Sequence, residues 1–391
     1  MVNIICASYF DPLGHPLFAE KIAENTPSFL GKSEKINIFG VYLKNREIFK
    51  NEKFLVTPIH IPFLGNFFNL TTRNNLERKF SHLGKLIFFF IRMSVCTIFY
   101  FKVYRNIALK DFLLDLEYEP IQSFLASIFL ELPNNHTMVL HSFPKNYKND
   151  LKSFYKLISR YLLKKRLKKN NMTRLALMHE KAISYAKYQG FFHKQLVLAG
   201  WGFDKTSDYN NFEKKKPISN CLKGLSFGVL RKDKRIEKLV KLFLKINDSK
   251  FALKIIGKSF DIDIKKIKKD IEKSKSNTNV SIIDRYVKDQ EIQKLFENSD
   301  FFVISHDATF DSASGPLALA LQYKKPVLCF SSNFVSSLVR ESNFGAVVDM
   351  DSISTQKLKK IILSLPDLNY DSEKIDLYQW SEITKRLINK D

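Results

Sequence analysis

From Leu222 to Ser364 the sequence alternates short apolar runs with longer amphipathic ones, and that alternation limits the possible folds more than any other feature. The short runs lie near Leu222–Gly228, Ala252–Ile256, Val280–Ile283, Phe301–Ser305, Pro326–Phe330 and Gly345–Val348. Helical spacing marks Arg235–Lys245, Ile264–Ser274, Asp289–Asn298, Pro316–Gln322, Val335–Glu341 and Ser354–Ser364. Strands that are apolar throughout are buried on both faces, and a strand-helix repeat joins parallel neighbours. The segment therefore predicts an α/β domain, with a parallel sheet between two helical layers.

Two turns within it bear on chemistry. The run Phe227-Gly228-Val229-Leu230-Arg231-Lys232-Asp233-Lys234 sets cations just past a strand, and Ser314-Gly315-Pro316-Leu317 opens a helix with small residues. Side-chain cations and unpaired helix-start N–H groups both serve a phosphate. A lone basic turn is a solvated turn more often than a phosphate clamp.

The first half also begins as α/β. Strands are expected at Asn3–Ser8, Lys35–Tyr42, Thr137–Ser142, Arg174–His179 and Gln195–Trp201, with Gly14 in the first strand-to-helix turn. Gly14 there permits close approach of a ligand to the backbone. Leu76–Leu130 reads as helical, dense in Phe and Leu. Within it, Asp115, Glu117 and Glu119 precede Pro120. Carboxylates so placed either serve an acceptor hydroxyl as a base or cap the helix that begins at the proline.

A length of 391 residues suits two domains, with polar Asp204–Asn220 as the linker. The net charge of +23 favours an acidic partner. No base-reading motif accompanies it, so nucleic acid is not expected. Lys148, Lys152, Lys156, Arg160, Lys164 and Lys168 recur at every fourth residue of a predicted amphipathic helix. Such a row, Lys148–Lys169, suits either solvent or an anionic membrane surface. The aromatic run Leu86–Phe101 is shorter than the roughly 20 apolar residues of a membrane crossing and contains Arg92, so a buried or surface-seeking helix is expected. Cys6, Cys96, Cys221 and Cys329 lack metal-site spacing and fit a reducing cytoplasm, and Met1–Ser8 reads as a buried strand rather than a secretory leader.

These motifs resemble the nucleotide-sugar-dependent glycosyltransferases of the two-domain GT-B fold. The turn at Phe227–Lys234 is similar to the family's Phe-Gly-x-Ile-Arg-x-x-Lys-Gly turn, with Arg235 where glycine is usual. The resemblance assigns Arg231 and Lys234 to the donor diphosphate and the main chain at Tyr286 to the nucleobase. Ser314, Gly315 and Pro316 resemble a Ser-Gly form of the phosphate-binding helix start, and Tyr378–Ile383 the terminal helix that returns to the N-terminal domain. Many relatives carry two glutamates in this segment; the matching positions hold Asp311 and Leu319.

The resemblance implies a GT-B chain with an acceptor-binding domain over 1–203, joined by a terminal helix over 371–391, and a donor-binding domain over 204–370. It implies a glycosyltransferase that uses a UDP- or GDP-sugar, acts on a glycan or lipid-linked acceptor and needs no metal or other cofactor. Retention of anomeric configuration is weakly favoured. Inversion would require a base, for which Glu117, Glu119, His141 and His179 are the candidates. A catalytically inactive scaffold of the same fold is the alternative.

Overall fold

Each of the two sheets in the computed structural model is built wholly of parallel strands. The structure describes residues 1–6, 15–31, 34–40, 54–59, 82–116, 118–128, 130–141, 151–204, 221–307, 310, 314–330 and 334–388. Gly14, Glu117, Lys148, Asp311 and residues 205–220 of the expected linker lie outside that set. Contacts within the chain separate it into two compact units, Met1–Gly200 with Trp380–Asp391, and Trp201–Gln379.

The first unit runs β1 (Val2–Cys6), α1 (His15–Asn25), β2 (Ile36–Gly40), β3 (Phe54–Pro58), α2 (His82–Tyr104), β4 (Phe112–Asp115), α3 (Pro120–Ala126) and β5 (Asn135–Leu140). It continues with α4 (Leu151–Lys169), β6 (Thr173–Leu177), α5 (Glu180–Tyr188) and β7 (Leu196–Leu198). The strand order is β3-β2-β1-β4-β5-β6-β7. The second unit follows with β8 (Leu222–Phe227), α6 (Ile236–Ile246), β9 (Phe251–Gly257), α7 (Ile264–Glu272), β10 (Asn279–Asp284), α8 (Asp289–Glu297) and β11 (Phe301–Ile304). Then come α9 (Gly315–Gln322), β12 (Val327–Cys329), α10 (Phe334–Glu341), β13 (Gly345–Val347), α11 (Thr355–Ser364) and α12 (Ser372–Asp376). Its order is β10-β9-β8-β11-β12-β13. A last helix, α13 (Trp380–Ile388), belongs to the first unit.

Two strands depart from the sequence reading. β3 falls where no strand is expected, and β4 interrupts the supposed helical stretch Leu76–Leu130. Three apolar residues closed by an aspartate and flanked by helices have the same composition as a helix turn, and periodicity alone does not separate the two. β4 is nonetheless central: it pairs with β1 through Ile4↔Leu114 and with β5 through Leu114↔Thr137. All four of its residues are buried, Asp115 included.

The aromatic run expected at Leu86–Phe101 lies within α2. From Val95 onward one face is spent on the core: Val95, Phe99, Tyr100, Val103 and Tyr104 pack with Ile5, Phe39 and Leu113. This follows from spacing, because positions three or four apart share one helix face. No helix among the described residues is long and apolar enough to cross a membrane.

The expected basic row on α4 is broken. Arg160 is buried, its Nη1 donating to Gln189 Oε1 at 2.9 Å. Arg166, just beside the row, turns inward as well and donates to the Pro133 carbonyl at 2.6 Å. Since four residues overshoot a helical turn by about 40°, a row of fourth positions winds around the helix and part of it meets the core. Lys165 and Lys168 stay exposed near Leu157 and Tyr161, and Lys165 Nζ lies 5.7 Å from the centre of the Phe124 ring.

In the second unit, α6 buries Leu239, Val240, Leu242, Phe243 and Ile246 against Leu253, Ile255 and Val303. At about 1.5–3 kcal/mol per buried large aliphatic or aromatic side chain, this face is enough to fix the sheet that carries the site.

Candidate active site

The chain leaves β8 toward β9 and β10, then returns to lay β11 on the other side of β8 before moving on to β12 and β13. Where strand order reverses in this way, the carboxyl ends of the two central strands border a crevice, the usual ligand position in an open α/β sheet. Both motifs singled out in the sequence lie there.

Gly228, the first residue past β8, holds φ at +111°, a conformation that side chains rarely adopt. A Cβ at this position would stand 3.0 Å from Lys234 Nζ and 3.3 Å from Pro316 Cγ. The missing side chain is therefore what lets the Lys234 ammonium and the start of α9 close in on the same point. A short helical turn, Lys232–Lys234, follows Arg231. Arg231 is held by its near neighbour: Nε and Nη2 donate to the two Asp233 oxygens at 3.0 and 2.9 Å. That fork fixes the guanidinium plane and leaves Nη1 outside the pair.

Lys234 is half-buried, and burial followed by the repulsion of Arg231 brings its ammonium down to about 8, against a partial offset from Asp233. A desolvated cation beside a second cation is unfavourable until an anion arrives. Arg235, where the family resemblance expects glycine and hence a looser turn, takes glycine's conformation at φ 50° and ψ 35°. The turn stays tight, and Arg235 Nη2 donates to Asp351 Oδ2 at 2.8 Å, with Lys238 on the same carboxylate.

The α9 start is built to leave donors over. Ser314 caps it, with Oγ accepting from the Leu317 N–H at 3.3 Å and its carbonyl accepting from Ala318 at 3.2 Å. Pro316 has no N–H, so the N–H groups of Ser314 and Gly315 are the ones positioned for an anion. A Cβ on Gly315 would meet the Trp201 indole at an ordinary 3.5 Å, so Trp201 forms a wall beside this helix start.

Tyr286 lies two residues beyond β10, with a side chain 68% exposed. Its carbonyl accepts from Arg285 Nη1 at 3.0 Å, while the same guanidinium grips Glu291 at 2.7 and 2.8 Å. Arg231, Lys234, Ser314, Gly315 and Pro316 are thus gathered at the β8/β11 border, and Tyr286 follows β10, two strands away.

In the first unit, Glu119, His141 and His179 each follow the carboxyl end of a strand, β4, β5 and β6 in turn. Glu119 stands just before α3, where its N–H donates to the Tyr100 hydroxyl at 3.0 Å and Oε2 accepts from Tyr155 at 3.3 Å. His141 Nε2 donates to the Leu116 carbonyl at 2.9 Å, which makes Nδ1 its acceptor nitrogen. His179 is buried and caps α5, its Nδ1 accepting from the Ala182 N–H at 2.9 Å. That bond uses the nitrogen lone pair a base would need on this side of the ring.

Two residues at the second-unit site were missed in the sequence reading: Trp201, described above, and His306. His306 follows β11 and is 5% exposed. The available signal was position, since a polar aromatic just beyond a central parallel strand borders the crevice.

Residues 208–375 match the model of the family described as glycosyl transferases, group 1. No curated protein sequence matches the chain significantly. Among solved structures, the lipopolysaccharide outer core galactosyltransferase WaaB, in its apo form, superposes at a TM-score of 0.64 and 11% identity, over 100% of this chain and 99% of that one. An E. coli protein described as trehalose-6-phosphate, bound with UDP-2-fluoro glucose, gives 0.61 and 12%, over 100% and 96%. A mutant of S. aureus TarM in complex with fondaparinux, α-GlcNAc-glycerol and UDP gives 0.52 and 16%, and the match spans 76% of this chain but 58% of TarM. Such identities establish the fold. Residues 208–375 are thus similar to the group 1 glycosyl transferases, and the chain has the GT-B fold of two Rossmann-like domains.

Proposed function

We propose that the chain moves a hexose from a UDP- or GDP-sugar to a glycan or lipid-linked acceptor in the synthesis of a bacterial surface polysaccharide. The observation that carries this reading is the approach of Lys234 Nζ and the α9 start across Gly228. Breaking the anomeric C–O bond sends negative charge onto the departing diphosphate. Lys234 and Arg231 supply fixed positive charge to it, and the Ser314 and Gly315 N–H groups add the positive end of a helix. These charges do the work a divalent metal does elsewhere, so transfer proceeds without one. The structures holding UDP, a UDP-sugar analogue and a glycerol glycoside support a nucleotide donor and a hydroxyl acceptor.

Retention is the favoured stereochemistry, with the leaving phosphate taking the acceptor proton. Under inversion, His141 is the base that the first unit supports best, because its acceptor nitrogen is defined by the bond at Nε2. The enzyme works on the cytoplasmic face, held to anionic lipid through Lys165, Lys168, Leu157 and Tyr161 on α4 rather than through the aromatic part of α2 spent on the core.

The test is a panel of radiolabelled sugar nucleotides scored for slow hydrolysis without acceptor, alongside calorimetric titration with UDP and GDP. Hydrolysis of one donor and saturable binding of its nucleotide are expected. Absence of both across the panel would instead favour a non-catalytic scaffold.

A further inference from the structure

The loop after β11 is stitched to the cationic turn after β8. Ser305 Oγ donates to the Lys234 carbonyl at 2.5 Å, and the Asp307 N–H donates to the Asp233 carbonyl at 2.7 Å. His306 lies between these two stitches. Its ring stacks on Phe310, with centroids 3.9 Å apart and planes 9° from parallel. Two backbone-anchored bonds and a stacked ring leave the imidazole little freedom to turn.

The ring is enclosed at the very place where Lys234 and Arg231 converge. Burial, then Lys234, then Arg231 push its basicity down to about 3, so without a bound anion the ring is neutral near pH 7. A neutral imidazole carries one N–H. Nδ1 is sealed from solvent with no hydrogen-bond partner among the described residues. An orphaned buried N–H is costlier than an orphaned lone pair, which places the proton on Nε2. An N–H donor held beside two cations, at the border of the β8/β11 crevice, answers to an anionic oxygen.

We propose that His306 is a donor-binding residue whose imidazole donates its Nε2 hydrogen to a diphosphate oxygen of the bound nucleotide. This rests on the donor-site reading above and adds to it a residue that neither basic motif contains. An imidazolium here would repel Lys234 and Arg231, whereas a neutral donor adds a directed hydrogen bond without more charge. As the diphosphate departs and its charge grows, the same bond strengthens.

The experiment is calorimetric titration of the full chain with UDP and with GDP, in the native sequence, His306→Phe and His306→Gln. Phenylalanine keeps the stack on Phe310 and removes both nitrogens; glutamine keeps an N–H near the Nε2 position. Nucleotide affinity is expected to fall roughly tenfold or more in His306→Phe, the worth of a hydrogen bond to a charged group. His306→Gln should recover a large part of that loss. A ring 15N spectrum of the native chain should show Nε2 protonated and its signal displaced by the nucleotide. Native binding with His306→Phe within twofold of it, or an unmoved Nε2 signal, overturns the role of His306 and leaves the donor site standing. Native protein that binds neither nucleotide overturns the donor site and this assignment together. Should His306→Phe fail to fold, the native spectrum decides.

Discussion

The Asp307 N–H and the Asp233 carbonyl, 2.7 Å apart, join the loop that follows β11 to the turn that follows β8. One hydrogen bond thus spans the border where the strand order reverses, and it sets the cationic turn against the loop leading to α9. The positions of Lys234 and the helix start are consequently coupled. A change that shifts one should show in the other.

Lys234 is the first residue to test. Lys234→Met should lower kcat/KM for the donor by about 30- to 1,000-fold, the counterpart of roughly 2–4 kcal/mol for losing one stabilising group at a leaving charge. Steady-state kinetics with the active sugar nucleotide measure this. Unchanged kcat/KM would remove the lysine from the diphosphate site.

The same lysine predicts a pH dependence. Its folded value of about 8 lies below the ordinary 10.5, so between these two values the unfolded chain holds more protons than the folded one. Stability of the nucleotide-free chain should therefore rise with pH across that window. A bound diphosphate restores the proton's favour, so nucleotide affinity should be greatest below about pH 8 and decline above it. Calorimetry in a pH series checks both signs, and the decline should vanish in Lys234→Met.

Gly228→Ala brings a Cβ into a backbone conformation at φ +111° and against Lys234 Nζ and Pro316 Cγ. The expected cost is about 1–3 kcal/mol of folding stability, with weaker nucleotide binding in whatever folds. Urea unfolding followed by titration tests the pair of effects. Wild-type stability would mean that the turn relaxes without penalty.

Arg235→Gly should be neutral to stabilising, by up to about 2 kcal/mol. Glycine relieves about 1–2 kcal/mol of left-handed strain, while the change removes a surface ion pair with Asp351 worth about 0–1 kcal/mol. Arg235→Ala keeps the strain and loses the pair, so it should unfold at lower urea than either. The ordering of the three midpoints is the check.

Arg174→Ala removes the donor to the carbonyls of Arg386 at 3.3 Å and Leu387 at 2.6 Å. Loss of these bonds should cost about 1–3 kcal/mol and loosen α13. Limited proteolysis should then cut first near Trp380–Ile388.

The parallel second sheet was legible in the sequence because its strands are apolar throughout and its helices carry long, regular spacing. The residues gathered at the β8/β11 border could be named because their motif keeps a fixed distance from a strand end. β4 was not legible, since Phe112–Asp115 offers four apolar-rich residues between two helices and no period to count. Arg160 and Arg166 misled for a related reason: charge pattern along a helix says which residues share a face, not which face the core takes. His306 escaped because a lone histidine carries no pattern; its meaning comes from Lys234, Arg231 and Phe310, none of them its sequence neighbours except the last.

The placement of α13 has a consequence for how the protein is made. Trp380, Ile383, Leu387 and Ile388 are buried in the first unit, with Trp380 edge-on to Phe18 at 5.6 Å, yet they are translated after all of Trp201–Gln379. While the nascent chain emerges from the ribosome, the second unit has its whole sequence at hand before the first can close over its hydrophobic interior. The half begun earliest is the half completed last, and it must wait, partly uncovered, for a helix encoded almost two hundred codons downstream of β7.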